Sequence, residues 1–318
     1  MELTFFLRYN SHTFSNCKTL FLHENLKNIG DESFQYCPIL RLDLPESLVE
    51  IEKNAFWFNK FDYLYIPGNV QRIGNYAFSH CSELVSVDID DGVGHLFSYT
   101  LNQCDSLTSV SIGSVSTIDS SVIRLCSSLK SLIYRGSYSA SAINSDAFTS
   151  ITSLSINVPV DLTENLVGGK STVRSISSGS CGNKLKWIFN SASSELLLIG
   201  RGEMNNYTLD QERPWEQYLS TIKSITIKKG VTTIGERAFS GCAKLENVFI
   251  EENVSFIGYG AFSSCPSLLA VEASENNEYY KTIDDALYSK DGTRLICYPS
   301  GRANTSFSVP LSVVSIND

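Results

Sequence analysis

The sequence carries little charge and has no excess of the positive sign. Charged residues make up 19% of the 318-residue chain, and the net charge is -9. That balance excludes the basic surface a nucleic-acid-binding domain presents. No apolar run approaches the length of a membrane span. Met1–Tyr9, MELTFFLRY, has a short apolar patch but neither a basic lead nor a small-residue cleavage site, so it is not read as a signal peptide. Nine cysteines are present without a single C-x₂₋₄-C pair, which argues against the usual zinc spacings. An odd total leaves at least one thiol unpaired within a monomer. His12, His23, His80 and His95 are scattered, and no glycine-rich phosphate loop follows a strand. Asp88–Gly92, DIDDG, lacks the third spaced acid and the closing glutamate of a calcium loop. The chain is expected to have no catalytic residues, no metal ligands and no cofactor.

What the sequence does have is a period. Ile73–Ile89, IGNYAFSHCSELVSVDI, returns as Ile234–Ile250, IGERAFSGCAKLENVFI, and as Ile257–Ala273, IGYGAFSSCPSLLAVEA. Phe34, Phe56 and Phe78 stand 22 residues apart, and Phe239 and Phe262 stand 23 apart. A fixed period of this length marks a solenoid, in which each unit buries its apolar face only against its neighbours. The anchors in chain order are Phe14, Phe34, Phe56, Phe78, Leu101, Ile123, Phe148, Phe239 and Phe262. Seven of the cysteines fall three residues after an anchor, where a small, buried, reduced packing residue is the expected role. Leu64–Ile66, Val87–Ile89 and Val110–Ile112 alternate as half-buried strands should. The Ile-Gly pair predicts a turn in which glycine supplies a positive backbone angle. The Ala-Phe-x-x-Cys segment, too short for an α-helix, predicts an irregular or 3₁₀-like turn on the opposite wall.

The period fails between Val160 and Ser220. Asp161–Ser180 reads as an exit loop, Leu185–Phe189 and Glu195–Ile199 as a hairpin, and Pro214–Tyr218 as a short helix. The period resumes at Ile222, and Asn276–Ser300 departs from it again as a hairpin. The predicted organisation is a repeat array over 1–160, a linker and cap-like insertion over 161–220, and a second array over 221–318 that ends within a repeat. Disorder or end-to-end self-association is expected of Ser306–Ile316, which begins a repeat that nothing completes.

The consensus Ile-Gly-x-x-Ala-Phe-x-x-Cys-x-x-Leu-x-x-Val-x-Ile closely resembles the BspA-like, or Treponema-type, leucine-rich repeat. Gly182–Trp187, Gly200–Met204 and Pro214-Trp215 resemble the cap that precedes such arrays. The resemblance implies a mainly β leucine-rich-repeat solenoid, with parallel strands on the concave face, short turns or 3₁₀ segments opposite, and a β-rich cap interrupting it. It also implies a non-enzymatic protein-binding or adhesion module at a cell surface or secreted, binding host or neighbouring-cell proteins through the concave sheet. An intracellular, cytoplasmic interaction scaffold is the alternative. Strand side chains lying between the buried Val and Ile positions should point outward. Arg41, Asp43, Tyr63, Tyr65, Asp88, Ile133, Phe249 and Glu272 are the candidate protein-binding residues on that face, with Tyr63 and Tyr65 at its centre.

Overall fold

The structure, a computed structural model, describes residues 16–136, 142–207, 212–303 and 306–317. The Met1–Tyr9 patch, His12 and the Phe14 anchor lie outside the described residues. The chain divides into two compact units, Met1–Arg174 and Ser175–Asp318. Each is a β-solenoid of parallel strands.

In the first unit each turn of the solenoid has three walls. The main wall is a parallel sheet of Tyr63–Ile66, Ser86–Ile89, Ser109–Ile112, Ser131–Tyr134 and Ser155–Pro159. Its register aligns Leu64, Val87, Val110, Leu132 and Ile156, all inward and buried. The repeat period therefore equals one full coil, and like residues sit directly above one another. A second, narrower parallel sheet carries Ile29, Ile51, Ile73, Leu96 and Ile118 in two-residue strands. The third wall is made of turns. Phe34, Phe56 and Phe78 project from it into the core, stacked at 5.3 Å between successive ring centroids and 0–2% exposed. Each such ring contributes roughly 1.5–3 kcal/mol by burial alone.

The turn wall is more regular than its irregular dihedrals suggest. The amides of Phe34, Phe56 and Phe78 donate to the carbonyls of Ala55, Ala77 and Thr100 on the next coil. The amides of Tyr36, Phe58 and His80 likewise donate to Trp57, Ser79 and Asn102. A residue in the left-handed region stands on each side of the anchor: Glu32 and Tyr36, Asn54 and Phe58, Tyr76 and His80, with φ between 56° and 61°. This turn wall is thus a ladder in which bonds between coils alternate with 3₁₀-like turn bonds within a coil, such as Gln35 N–H to Glu32 O, Trp57 N–H to Asn54 O and Ser79 N–H to Tyr76 O.

Two sequence expectations are corrected here, and a third, the buried and reduced cysteine column from Cys37 onward, holds and is extended. The glycine of the Ile-Gly pair does not take a positive φ; a Cβ on Gly74 would lie 2.7 Å from the Lys53 nitrogen and 2.8 Å from the Glu52 carbonyl carbon. Glycine is there because the neighbouring coil's backbone comes too close for a side chain. The column cysteines do more than fill space. Cys81 donates its thiol to Phe56 O at 3.4 Å, Cys104 to Phe78 O at 3.3 Å and Cys265 to Phe239 O at 3.2 Å. Asn59, which replaces cysteine in this column, donates to Phe34 O at 2.7 Å. All nine thiols are unbridged, and burial pushes the Cys81 thiol up to about 12. Finally, the expected exit loop is largely a strand, Lys170–Gly182, because its Ser and Gly residues, Ser177–Ser180 and Gly182, pair through their backbone with the apolar strand Leu185–Asn190.

The second unit begins with the antiparallel hairpin Leu185–Asn190 and Glu195–Gly200. Its second strand pairs in parallel with Ser224–Ile227, which continues to Asn247–Ile250 and Ala270–Ala273. The hairpin therefore converts antiparallel pairing into the parallel stack. Trp215, 0% exposed, precedes the 3₁₀ turn Glu216–Tyr218 and stacks on Phe239 at 5.6 Å, ahead of Phe262. It fills the place of an anchor in a coil that has none. Tyr280–Ile283, Ala286–Ser289 and Arg294–Cys297 form an antiparallel meander. Ser315–Ile316 is not disordered but pairs in parallel with Arg294–Leu295.

Candidate functional site

Outward side chains on a parallel sheet share columns along the stack, so their neighbours are the same position in adjacent coils. In the first unit the outward column Tyr65, Asp88, Ser111, Ile133, Asn157 is aligned by register. The structure does not present it as free anchors. Tyr65 is 6% and Asp88 3% exposed. The Tyr63 hydroxyl donates to Asp88 Oδ2 at 2.9 Å, and the Tyr65 hydroxyl donates to Asp90 Oδ2 at 3.0 Å. Burial first, and then the Asp90 carboxylate, hold the Tyr65 phenol far above its ordinary range. Arg135 lies across the same face, donating to Ser111 Oγ at 3.0 Å and to Ile89 O at 2.9 Å. The expectation of exposed tyrosines at the centre is therefore corrected. The polar tips reach one coil further along and bond there, because coils stacked at strand spacing bring a phenol within reach of the next carboxylate. Ile133 is half-buried. Arg41 and Asp43 pair with each other at 3.0 Å while staying exposed.

In the second unit the corresponding column runs Leu197, Thr226, Phe249, Glu272. Thr226 donates to Glu195 Oε1 at 2.8 Å. Phe249 and Glu272 are direct register partners, and the Phe249 ring is 40% exposed. Among the described residues the Glu272 carboxylate has no hydrogen-bond or ion-pair partner. Both residues line a cleft of about 770 Å³ whose other wall comes from the meander, through Lys281, Thr282 and Lys290. Lys290 is committed to the carbonyls of Glu275 and Asn277 at 3.0 and 2.6 Å. The cleft thus offers the apolar Phe249 flanked by charges of both signs, Glu272 and Glu275 against Lys281 and Lys290. The sequence identified Phe249 and Glu272. It did not identify Lys281, because nothing in a single sequence reveals that the hairpin folds beside that column.

No group of histidine, cysteine, aspartate and glutamate suited to hold a metal ion occurs among the described residues. No helix among them is long and apolar enough to cross a membrane.

The family profile described as "BspA type Leucine rich repeat region" matches in six copies over residues 8–61, 49–165 and 217–300. No curated protein matches the chain. Three solved structures are similar at the level of fold. A leucine-rich repeat protein from Eubacterium ventriosum is 20% identical over 45% of this chain and 56% of its own, with a TM-score of 0.27. A leucine rich cell surface protein from Faecalibacterium prausnitzii is 20% identical over 82% of this chain and 62% of its own, with a TM-score of 0.27. The pneumococcal vaccine antigen PcpA is 16% identical over 81% of this chain and 51% of its own, with a TM-score of 0.32. The chain spans about half to three-fifths of the length of these three.

Proposed function

The chain belongs to the BspA-type leucine-rich repeat family, and from that premise we propose that it is a non-enzymatic adhesion module displayed at a cell surface, binding host or neighbouring-cell proteins through its main-sheet face. Repeats of this family serve protein interaction rather than catalysis. The proposal keeps the three-part organisation of arrays over 1–160 and 221–318 with a cap-bearing segment over 161–220. It moves the centre of the binding face from Tyr63 and Tyr65 to Phe249 and Glu272. The observation that carries this is the exposed Phe249 ring set beside the unpartnered Glu272 carboxylate in one cleft. A solvated strand face normally carries Ser, Thr and paired charges. An exposed aromatic on a rigid sheet is the usual anchor of a protein interface, and its truncation costs about 2 kcal/mol or more.

The test is adhesion of beads coated with the full chain to immobilised cell-surface and matrix proteins. The partner found there is then titrated against Phe249→Ala. A variant with wild-type melting should bind on the order of 30-fold more weakly, the equivalent of that 2 kcal/mol. Undiminished binding by the stable variant would remove this cleft from the proposal.

A further inference from the structure

The wall opposite the main sheet carries a compact group of exposed aromatic rings that the proposed function does not use. Tyr36 and Phe58 occupy the left-handed position two residues after successive anchors, and His80 occupies it in the next coil. Tyr36 is 46% and Phe58 42% exposed. The three rings stack along the solenoid, Tyr36 on Phe58 at 5.2 Å and Phe58 on His80 at 4.5 Å with planes 7° apart. Trp57 stands edge-on to both Phe58 and His80, at 4.9 and 5.6 Å. Bulky side chains are disfavoured in left-handed backbone by roughly 1–2 kcal/mol. Equivalent positions in other coils carry Gln103, Leu125, Gly241 and Ser264, with φ of 55°, 54°, 78° and 55°. Left-handed backbone suits glycine best, yet here it holds large rings at the surface.

Three further observations narrow what these rings would bind. Both faces of Phe58 are already covered, by Tyr36 and by His80, so a sugar ring cannot stack on Phe58, the middle ring of the strip. Gln35 and Ser79 are buried, so the polar groups that the strip turns toward the surface are the Trp57 indole N–H, the Tyr36 phenol and the His80 imidazole. None has a hydrogen-bond partner among the described residues. The strip positions Gln35, Tyr36, Trp57, Phe58, Ser79 and His80 carry no carboxylate, ammonium or guanidinium on a chain of net charge -9. Burial holds the His80 pKa below its ordinary value, with Asp105 opposing, which favours the neutral ring.

We propose that this aromatic strip binds an uncharged, proline-rich protein segment in the polyproline II conformation. A proline ring is apolar and suits packing against aromatic edges. Its tertiary amide offers a carbonyl acceptor and no N–H, which complements the Trp57 donor and the partial positive charge of ring edges. A polyproline II segment makes no internal hydrogen bonds and is already extended, so it loses little conformational freedom on docking. An uncharged segment brings no charge of its own to be desolvated on the strip. The site stands apart from the main-sheet face and does not depend on it.

The probe is a decaproline peptide titrated calorimetrically into the full chain, with Tyr36→Gly plus Phe58→Gly as the test variant. Glycine takes the φ of 58° and 61° at those positions without strain, so the variant should stay folded, and its melting is measured alongside its binding. Saturable binding by wild type is expected. The glycine variant and Trp57→Phe, which keeps a ring but removes the N–H, should each bind at least about tenfold more weakly, as expected for interface aromatics. Phe249→Ala should bind as wild type does. The proposal is overturned if wild type shows no saturable binding, if the folded glycine variant binds as tightly, or if a soluble glucan oligosaccharide binds to the strip and the peptide does not.

Discussion

Replacing Phe78 by alanine should lower stability by about 3–5 kcal/mol, the cost of removing a buried phenylalanine and leaving a cavity. Phe78 is 0% exposed, lies 5.3 Å from Phe56 with planes 5° apart, and meets the edge of Phe61 at 6.2 Å. The cavity cannot easily collapse. The coil backbone is pinned on one side by the Phe78 amide bonded to Thr100 O and on the other by the Phe56 amide bonded to Ala77 O. Urea unfolding followed by far-UV circular dichroism reads the loss as a lower midpoint. His80→Ala, two residues along but facing out of the core, should move it little. A Phe78→Ala midpoint equal to wild type would mean that the anchor phase is misassigned.

The second large effect belongs to Trp215→Ala, again about 3–5 kcal/mol. Trp215 has the largest fully buried side chain described. It stacks on Phe239, meets Tyr207 edge-on at 5.5 Å and Trp187 at 6.3 Å, and donates Nε1–H to Ala238 O at 3.0 Å. Removing it takes away the ring that closes the core above Phe239 and also leaves a buried carbonyl without its indole donor. Trp215→Phe separates the two contributions. It restores most of the stacking but not the hydrogen bond, so it should cost only about 1–3 kcal/mol. Equal losses for both variants would show that the ring's volume contributes nothing, contrary to its place in the stack.

The solenoid was legible because its period is enforced by packing: each coil buries the same positions against its neighbours, so Ile, Phe, Leu and Val recur at one phase. The Leu185–Phe189 and Glu195–Ile199 hairpin and the short turn after Pro214 were legible from apolar runs and turn residues. What stayed hidden depends on contacts between coils. Gly74 and a glycine at positive φ read identically in sequence; only the approach of Glu52 and Lys53 distinguishes them. Tyr63 and Tyr65 read as exposed anchors because a strand pattern assigns faces but not what lies one coil away, where Asp88 and Asp90 accept their hydroxyl protons. The Cys column read as packing because a thiol's carbonyl partner, some 25 residues earlier, is invisible without the stack. The aromatic strip was within reach. Tyr36, Phe58 and His80 share one phase, two residues after the anchor, and following that column as closely as the anchor column would have revealed it.

The central claim is that every wall of the coil, the turns included, is tied to its neighbours by hydrogen bonds between coils. Hydrogen–deuterium exchange on the wild-type chain tests it most directly. The amides of Phe56, Phe58, Phe78 and His80 lie outside the main-sheet strands but donate to the next coil at 2.7–3.1 Å. They should be protected as strongly as the strand amides of Val87 and Val110. Exchange at free-loop rates in these four, with the strands still protected, would contradict the account.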